Sequence, residues 1–363
     1  MIRRLRVEGG DAHVLGVVRV GVGLLSFGHA LAAARALATE GFFGDRLHLP
    51  LLPAWALPSR SAWVAIVALR LLFAAMVTTG LGARFALAAG ATLGVGAMLC
   101  DRLSWSEDQW LLALFAAILS LAPCDRAVSL ALAPDASRHG PLWAQRLAQA
   151  QASIIIATLG AQKLFDADWR SGAVVSDVMT RWAAATGAHG ALADLAAVVA
   201  RPAVAGGLGK AIIASELFIA AGPWVPKTRV FALWWGLWFH ALAAASFTAG
   251  TAPLTMLLAL ALFTTPDAAA RKLWFDPSRP LGTIYARVVG VLDWLARFDI
   301  EPWAPDDLRG GHHLVVVRRD GTRATGVRAL AMVARCTPLL FPLWAPIALV
   351  ASFTKHGEHS ARS

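Results

Sequence analysis

The segment GAQKLFDADWRSG, residues 160–172, holds the residues best suited to chemistry. Lys163 ends an apolar stretch, and Asp168 and Trp169 follow within two helical turns. A lysine at a membrane boundary commonly extends its ammonium toward the lipid headgroups, and a tryptophan suits the aromatic belt at that depth. The functional alternative is a lysine in apolar surroundings, where the neutral amine is favoured and can act as a base.

A second polar group is Trp105-Ser106-Glu107-Asp108-Gln109-Trp110, at the start of another apolar stretch. Glu107 and Asp108 suit the positive end of a helix dipole. They are also candidate proton acceptors, or partners for Lys163 across a helix bundle. Trp105 is a candidate cavity residue beside them.

Two further ionisable residues lie inside apolar stretches, where an unpaired charge is costly. His240 follows Trp238-Phe239 and is either a functional group or a partner in an interhelical hydrogen bond. Glu216 is expected to be protonated, or paired with His240, Lys210 or Arg229. Both are candidates to line a substrate cavity.

The composition decides which class of protein carries these residues. Of the 363 residues, 57% are hydrophobic and 15% are charged, and the mean hydropathy is +0.58. Soluble domains average about 25% charged residues, so the composition excludes a disordered chain and argues against a water-soluble enzyme. The formal net charge of +10 accompanies no basic stripe interleaved with aromatic residues. We attribute it to basic residues facing anionic lipid at cytoplasmic helix ends, and we expect no nucleic-acid partner.

Eight apolar segments approach the length that crosses a hydrocarbon core of about 30 Å. They are residues 13–38, 62–80, 84–100, 109–123, 147–164, 207–222, 229–247 and 252–265. Lys and Arg are enriched in alternate loops, which places both termini in the cytoplasm and Lys163 and Asp108 at the outer face of the inner membrane. The amphipathic stretch 173–200 is expected to lie along the surface or to re-enter partway.

A change in composition near residue 266 predicts two domains, residues 1–267 and 268–363. The tail pattern predicts a helix at 284–298, a strand at 312–319 before an Asp320-Gly321 hairpin turn, and a helix at 326–336. Residues 338–353 are apolar but contain three prolines, which favours an interfacial or packing helix over a further span. The three cysteines lie far apart and no metal-ligand spacing occurs, so we expect neither a disulfide nor a metal.

The order of these features resembles the horizontally transferred transmembrane (HTTM) family, which shares its membrane fold with vitamin K-dependent gamma-carboxylase. The resemblance covers residues 13–267. It depends on Arg19 followed by Gly41-Phe42-Phe43, the TGLGAR turn at 79–84, Trp105 to Trp110, Trp143 with Arg146 and Gln149, the 160–172 segment, and Phe239-His240 followed by Phe247 and Gly250.

In the carboxylase branch, a lysine in a GLKKLDADW-like motif is the proposed base that deprotonates reduced vitamin K. The resemblance places that role on Lys163, with Phe165 as an extra residue between KL and DADW. Asp108 stands where the branch has a histidine that stabilises the intermediate, which puts an anion where a donor is wanted. His240 matches a family histidine that is structural or lines the cavity. The propeptide-binding region of the animal enzymes has no counterpart here, so peptide carboxylation is not expected.

The tail resembles a second family, the DCC-type thiol–disulfide oxidoreductases, which have a thioredoxin-like fold and often follow HTTM domains. Their YDGxCxxC opening aligns with residues 275–282, so that Arg279 and Gly282 stand at the two cysteine positions. Further matches are Asp306-Asp307-Leu308, residues 315–321 and residues 326–330. Without the cysteines, thiol exchange through a thiolate is impossible. The tail is therefore expected to serve stability or to contact a cytoplasmic protein partner.

These observations predict an all-α polytopic membrane bundle of eight spans, with a small C-terminal α/β thioredoxin-like cytoplasmic domain. We expect an inner-membrane enzyme that acts on a reduced quinone or another lipid-soluble substrate, with Lys163 as base and Glu107 or Asp108 as proton partner. The residues expected to line its cavity are His240, Glu216, Asp168, Trp169 and Trp105. The alternative is a non-enzymatic lipid or quinone binder, or a transport or assembly factor. Membrane lipids are partners in either case.

Overall fold

The structure is a computed structural model and describes residues 9–38, 50–101, 105–130, 139–141, 143–246, 250–264, 271–293, 297–302, 314–317 and 321–353. The chain divides into two units, residues 1–265 and 266–363. Several residues used in the sequence analysis lie outside the described residues: 41–43, Phe247, 306–308, 312–313 and the turn residue Asp320.

Helices form along each long apolar stretch of the first unit. In chain order they are α1 (Ala12–Ala38), α2 (Arg60–Thr79), α3 (Ala83–Cys100), α4 (Glu107–Ser120), α5 (Trp143–Phe165), α6 (Ala167–Ser171), α7 (Ala173–Thr186), α8 (Ala191–Val199), α9 (Pro202–Ala221), α10 (Arg229–Ser246) and α11 (Ala252–Ala261). A short antiparallel pair joins strand β1 (Gly9–Asp11) to β2 (His139–Pro141).

Among the described residues of this unit, four segments are long and apolar enough to cross a membrane: α1, α2, α3 and Pro202–Trp224, which is α9 with its short 3₁₀ extension. Between 22% and 44% of the most apolar part of each is buried inside the unit. The remaining apolar surface faces outward, where lipid would solvate it. The other four predicted spans coincide with α4, α5, α10 and α11, and their crossing of the membrane stays a prediction.

Buried polar side chains tie these helices together. Arg19, fully buried on α1, donates a hydrogen bond to the carbonyl of Val128. Gln145 and Gln149 on α5 both donate to the carbonyl of Leu262, at 2.7 and 2.6 Å. The Leu262 carbonyl lies just beyond the end of α11 and would otherwise lack a helical partner. These polar residues inside apolar segments thus have structural roles.

The amphipathic stretch 173–200 forms α7 and α8, which are mostly exposed. At 14 and 9 residues, neither helix is long enough to cross a hydrocarbon core. The placement of this stretch along the membrane surface or partway into the membrane stays a prediction.

The second unit is a small α/β structure. Its elements are β3 (Arg271–Phe275), α12 (Pro280–Leu292), β4 (Phe298–Pro302), β5 (Leu314–Val317), β6 (Arg323–Thr325), α13 (Gly326–Cys336) and α14 (Trp344–Phe353). The sheet order is β4-β3-β5-β6, with β3 parallel to β4 and the other two pairs antiparallel. Its core includes Leu273, Val289, Phe298 and Val316. Helix α14 packs against α13, as expected for a packing helix.

The predicted helix at 284–298 is wrong at both ends, because the helix begins at Pro280 and ends at Leu292. Asp293 explains the early end. Its carboxylate accepts hydrogen bonds from the backbone N–H groups of Arg297 and Phe298, at 2.9 and 2.8 Å. An aspartate that captures downstream N–H groups stabilises a turn at the expense of the helix. Phe298 consequently begins a strand and packs into the core.

Candidate functional site

Lys163 and Glu216 form an ion pair between α5 and α9. The Lys163 Nζ lies 2.8 Å from Oε1 and 2.9 Å from Oε2 of Glu216. The side chains are 16% and 9% exposed. The prediction that Glu216 is protonated or pairs with His240, Lys210 or Arg229 missed this partner, since Lys163 had been placed at a boundary and Glu216 in mid-span.

A close helix contact explains why these two side chains meet. A Cβ atom added at Gly160 would lie 3.2 Å from the Cβ of Glu216 and 3.2 Å from Cδ2 of Leu217. Gly160 and Lys163 are three residues apart and therefore share one helix face. The absence of a side chain at Gly160 lets α9 approach, so that Glu216 lies within reach of the lysine.

Trp169 forms a second contact with Lys163. The Nζ atom lies 5.1 Å from the centroid of the indole ring, within the range of a cation–π interaction. Trp169 is on the five-residue helix α6, which Asp166 caps by accepting a hydrogen bond from the Asp168 N–H at 2.8 Å. The Asp168 side chain is exposed and, among the described residues, does not contact Lys163.

Small residues of α9 hold the turn that carries Trp169. A Cβ added at Gly209 would lie 2.2 Å from the Trp169 carbonyl oxygen. Gly172, with φ of +87°, ends α6, and a Cβ there would lie 2.2 Å from the backbone nitrogen of Gly206. The glycine-rich start of α9 is thus a packing face, and it places the indole beside Lys163.

His240 on α10 lies near the ion pair, within electrostatic range of Lys163. Its residue exposure is 8%. The buried Nε2 atom has no hydrogen-bond partner among the residues that the structure describes. The alternative in which His240 makes an interhelical hydrogen bond is therefore not met at Nε2 within the described residues. A buried nitrogen without a partner is costly and is free to bond a group that enters the site.

Asp108 belongs to a different cluster. Its Oδ2 accepts hydrogen bonds from the N–H and the hydroxyl of Thr251, at 3.1 and 3.0 Å, and lies 3.7 Å from Nε2 of His29. The same His29 nitrogen lies 2.7 Å from the Thr251 hydroxyl. Within the described part of the chain, Asp108 does not contact Lys163. It instead connects α4 with α1 and with the start of α11.

Glu107 and Trp105, the other two candidates from residues 105–110, are both exposed. Glu107 is exposed in the first turn of α4, where it suits the helix dipole. Trp105 is 40% exposed and stacks on Trp110, with ring centroids 5.3 Å apart. Sequence reasoning missed Thr251 as a partner of Asp108, and a threonine before an apolar helix gives no signal of such a contact.

The structure thus assembles Lys163, Glu216, Trp169 and His240 as a candidate site at one side of α5. Among the described residues, no group of three or more His, Cys, Asp or Glu side chains is positioned to hold a metal ion. In comparisons with known proteins, the family model of the HTTM domain matches residues 8–268. No curated protein and no solved structure matches the sequence.

Proposed function

The chain belongs to the HTTM domain family and is an integral membrane protein, and from this premise we propose that it is an enzyme that deprotonates a lipid-soluble substrate of the quinone class. The observation that carries the proposal is the partly buried ion pair between Lys163 and Glu216. Lys163 is the proposed base, and Glu216, rather than Glu107 or Asp108, is its proton partner.

The pair supplies a base without placing a net charge in apolar surroundings. Transfer of one proton from Nζ of Lys163 to Oε1 of Glu216 breaks an N–H bond, forms an O–H bond and leaves two neutral groups. A low dielectric penalises separated charges, so it favours this neutral form more than water does. The neutral Nζ then takes a proton from a substrate hydroxyl and becomes an ammonium again.

The residues around the pair fit a reduced quinone. When bound, such a molecule supplies an acidic hydroxyl on a flat apolar ring. His240 Nε2, buried and without a described partner, is placed to hydrogen-bond a substrate oxygen. Trp169 offers an aromatic face beside Lys163. These residues would hold the substrate, and Lys163 would take its proton.

Of the chemistry of vitamin K-dependent gamma-carboxylase, the proposal includes only the proton transfer from the substrate to a lysine. It is supported by the position of Lys163 before the DADW sequence. The Asp108 carboxylate, at the position of the branch's second functional residue, accepts a hydrogen bond from Thr251 and lies beside His29. We therefore propose no carboxylation step.

For the tail, we propose a thioredoxin-like fold related to the DCC-type proteins. The support is a β-α-β unit with parallel strands followed by two antiparallel strands and a helix. At the aligned cysteine positions, Arg279 instead pairs with the buried Asp276, with Nε 3.1 Å from Oδ2, and Gly282 has no side chain. We propose that this domain contacts a cytoplasmic protein, and that the bundle lies in the inner membrane with both termini inside.

Turnover of menadiol, a short reduced quinone, tests the role of Lys163. Oxygen oxidises a hydroquinone faster once its hydroxyl has lost a proton, so membranes with the parent protein should accelerate menadione formation in air. Lys163→Ala should lower this protein-dependent rate about a hundredfold or more, the usual contribution of a general base. Lys210→Ala, at an exposed position of α9, is the matched control and should leave the rate unchanged.

The rival function is a non-enzymatic binder of quinone or lipid. The bidentate ion pair supports this rival because it stabilises the charged form of Lys163, and a charged lysine does not act as a base. Lys163→Arg separates the two, because arginine keeps the charge but does not release a proton. A binder should tolerate arginine, whereas the proposed base should not. Unchanged turnover in Lys163→Ala, or no protein-dependent turnover in the parent, would reject the enzymatic proposal.

A further inference from the structure

A cavity of about 50 Å³ lies among α1, α2, α3 and α4. Its polar wall consists of Ser26 and His29 on α1, Arg70 on α2 and Gln109 on α4. The rest of the wall is apolar. None of its lining residues belongs to the group around Lys163, so the inference below is independent of the proposed function.

Arg70 is the cavity residue that most needs a partner. It is the eleventh residue of α2, so it lies about 15 Å along the helix from Arg60, near the middle of a core about 30 Å thick. It is half-buried. Within the ranges that the structure describes, its guanidinium has neither a hydrogen bond nor an ion pair. A charged side chain at mid-membrane depth is costly unless an anion or a polar cavity compensates it.

Asp108 precedes the cavity residue Gln109 in the chain, and its carboxylate already has partners. It accepts two hydrogen bonds from Thr251 and lies beside His29. The Nε2 atom of His29, on the same wall, is bonded to the Thr251 hydroxyl. The cavity therefore presents the Arg70 guanidinium, together with the Gln109 amide and the Ser26 hydroxyl, as donors for an oxyanion.

We propose that this cavity binds the carboxylate of an amphiphilic lipid, with Arg70 as its counter-ion. The planar guanidinium matches a carboxylate through two parallel hydrogen bonds. A volume of about 50 Å³ has room for about four water-sized groups, which suits a carboxylate head and not a whole ring. Burial of an anion here converts the uncompensated charge of Arg70 into a paired one.

The apolar part of the cavity suits the start of the lipid chain. Gly90 and Gly94 on α3 both line it. A Cβ added at Gly94 would meet no atom within 4 Å, and one at Gly90 would lie 3.7 Å from Phe73. These small residues leave space beside the cavity for the first carbons of a hydrocarbon chain.

Binding of radiolabelled oleate to the full-length protein in a neutral detergent tests this site. Arg70→Gln should weaken oleate binding at least about tenfold, because hydrogen bonds to charged groups contribute about that much or more. Arg60→Gln removes the same charge from the first turn of the same helix and should change binding less than about twofold. Gly94→Leu keeps the charge but fills the apolar part, and it should weaken binding even if Arg70→Gln fails to fold.

Three competitors define what would overturn the proposal. Oleyl alcohol has the same chain without the charge and should compete poorly, so equal competition would reject the carboxylate. Acetate has the charge without the chain, and displacement of oleate by equal concentrations of acetate would reject a lipid. If lysophosphatidate binds more tightly than oleate and its binding depends on Arg70, the ligand group is a phosphate and the carboxylate is rejected. Equal oleate binding by Arg70→Gln and Arg60→Gln would reject the site itself.

Discussion

Replacing Lys163 by Met removes the ammonium, keeps most of the side-chain volume and leaves the Glu216 carboxylate without its partner. The pair is 2.8 Å apart and its side chains are 16% and 9% exposed. Breaking a fully buried pair costs about 3–5 kcal/mol. Because both groups retain some exposure, we expect the lower end, about 3 kcal/mol, which includes the lost contact with Trp169.

The double variant Lys163→Met/Glu216→Leu is the decisive comparison. It removes both charges together, and replacing a buried ion pair by apolar side chains of similar volume is often neutral. We therefore expect it within about 1 kcal/mol of the parent, although each single variant loses about 3 kcal/mol. The pairwise coupling energy should then be several kcal/mol.

Thermal unfolding of the purified protein in detergent measures these differences. About 3 kcal/mol corresponds to a Tm lower by about 6–12 °C in a unit of this size. The double variant should recover most of that loss, yet show no menadiol turnover. A double variant whose Tm loss equals the sum of the two single losses would show that the side chains are not coupled. That result would refute the ion pair as the basis of the site.

Three further predictions concern a turn and the tail. Gly172→Ala should lower the Tm by several degrees more than Gly187→Ala, because both glycines have positive φ but only the first would press a Cβ against the backbone of α9. Hydrogen bonds from Lys272 lower the pKa of the Glu301 carboxyl, so this group stabilises the tail at neutral pH and the benefit is lost as the pH falls through the folded-state pKa. Glu301→Gln should therefore show a small Tm loss at pH 7 that vanishes in acid. Burial raises the pKa of the Cys336 thiol, so maleimide should label it slowly at pH 7 in the folded protein and rapidly after denaturation in SDS.

The long apolar helices could be predicted from the sequence because hydropathy depends on residues that are close in the chain. The segments predicted at 62–80 and 84–100 agree with α2 and α3 within two residues at each end. The polar tail could be recognised for the same reason. Its first helix was misplaced because Asp293 reads as one more helix residue, and only its hydrogen bonds to later N–H groups show that it ends the helix.

The members of the candidate site could be named from the sequence, but their contacts could not. Lys163 and Glu216 are 53 residues apart, and the helix face on which Glu216 lies decides whether it meets a lysine or lipid. A glycine one turn before Lys163 was the available signal, since a small residue marks a close helix contact. Asp108 and Thr251 are 143 residues apart, and nothing in either segment indicates the other.

Two clusters of charged side chains in the bundle, one around Lys163 and one around the cavity, differ in net charge, and this difference separates their roles. The charges of Lys163 and Glu216 sum to zero, so a proton can pass from Lys163 to Glu216 and leave a neutral amine, which then takes a proton from a substrate, without an isolated charge having formed in the apolar interior. Around the cavity, the Asp108 carboxylate is engaged by Thr251 and His29, which leaves the positive charge of Arg70 without a described counter-ion. A balanced pair suits proton transfer, whereas an unbalanced cation suits retention of an anion. It follows that Arg70→Gln should weaken oleate binding at least about tenfold while leaving menadiol turnover intact, and that Lys163→Met should remove menadiol turnover while leaving oleate binding intact.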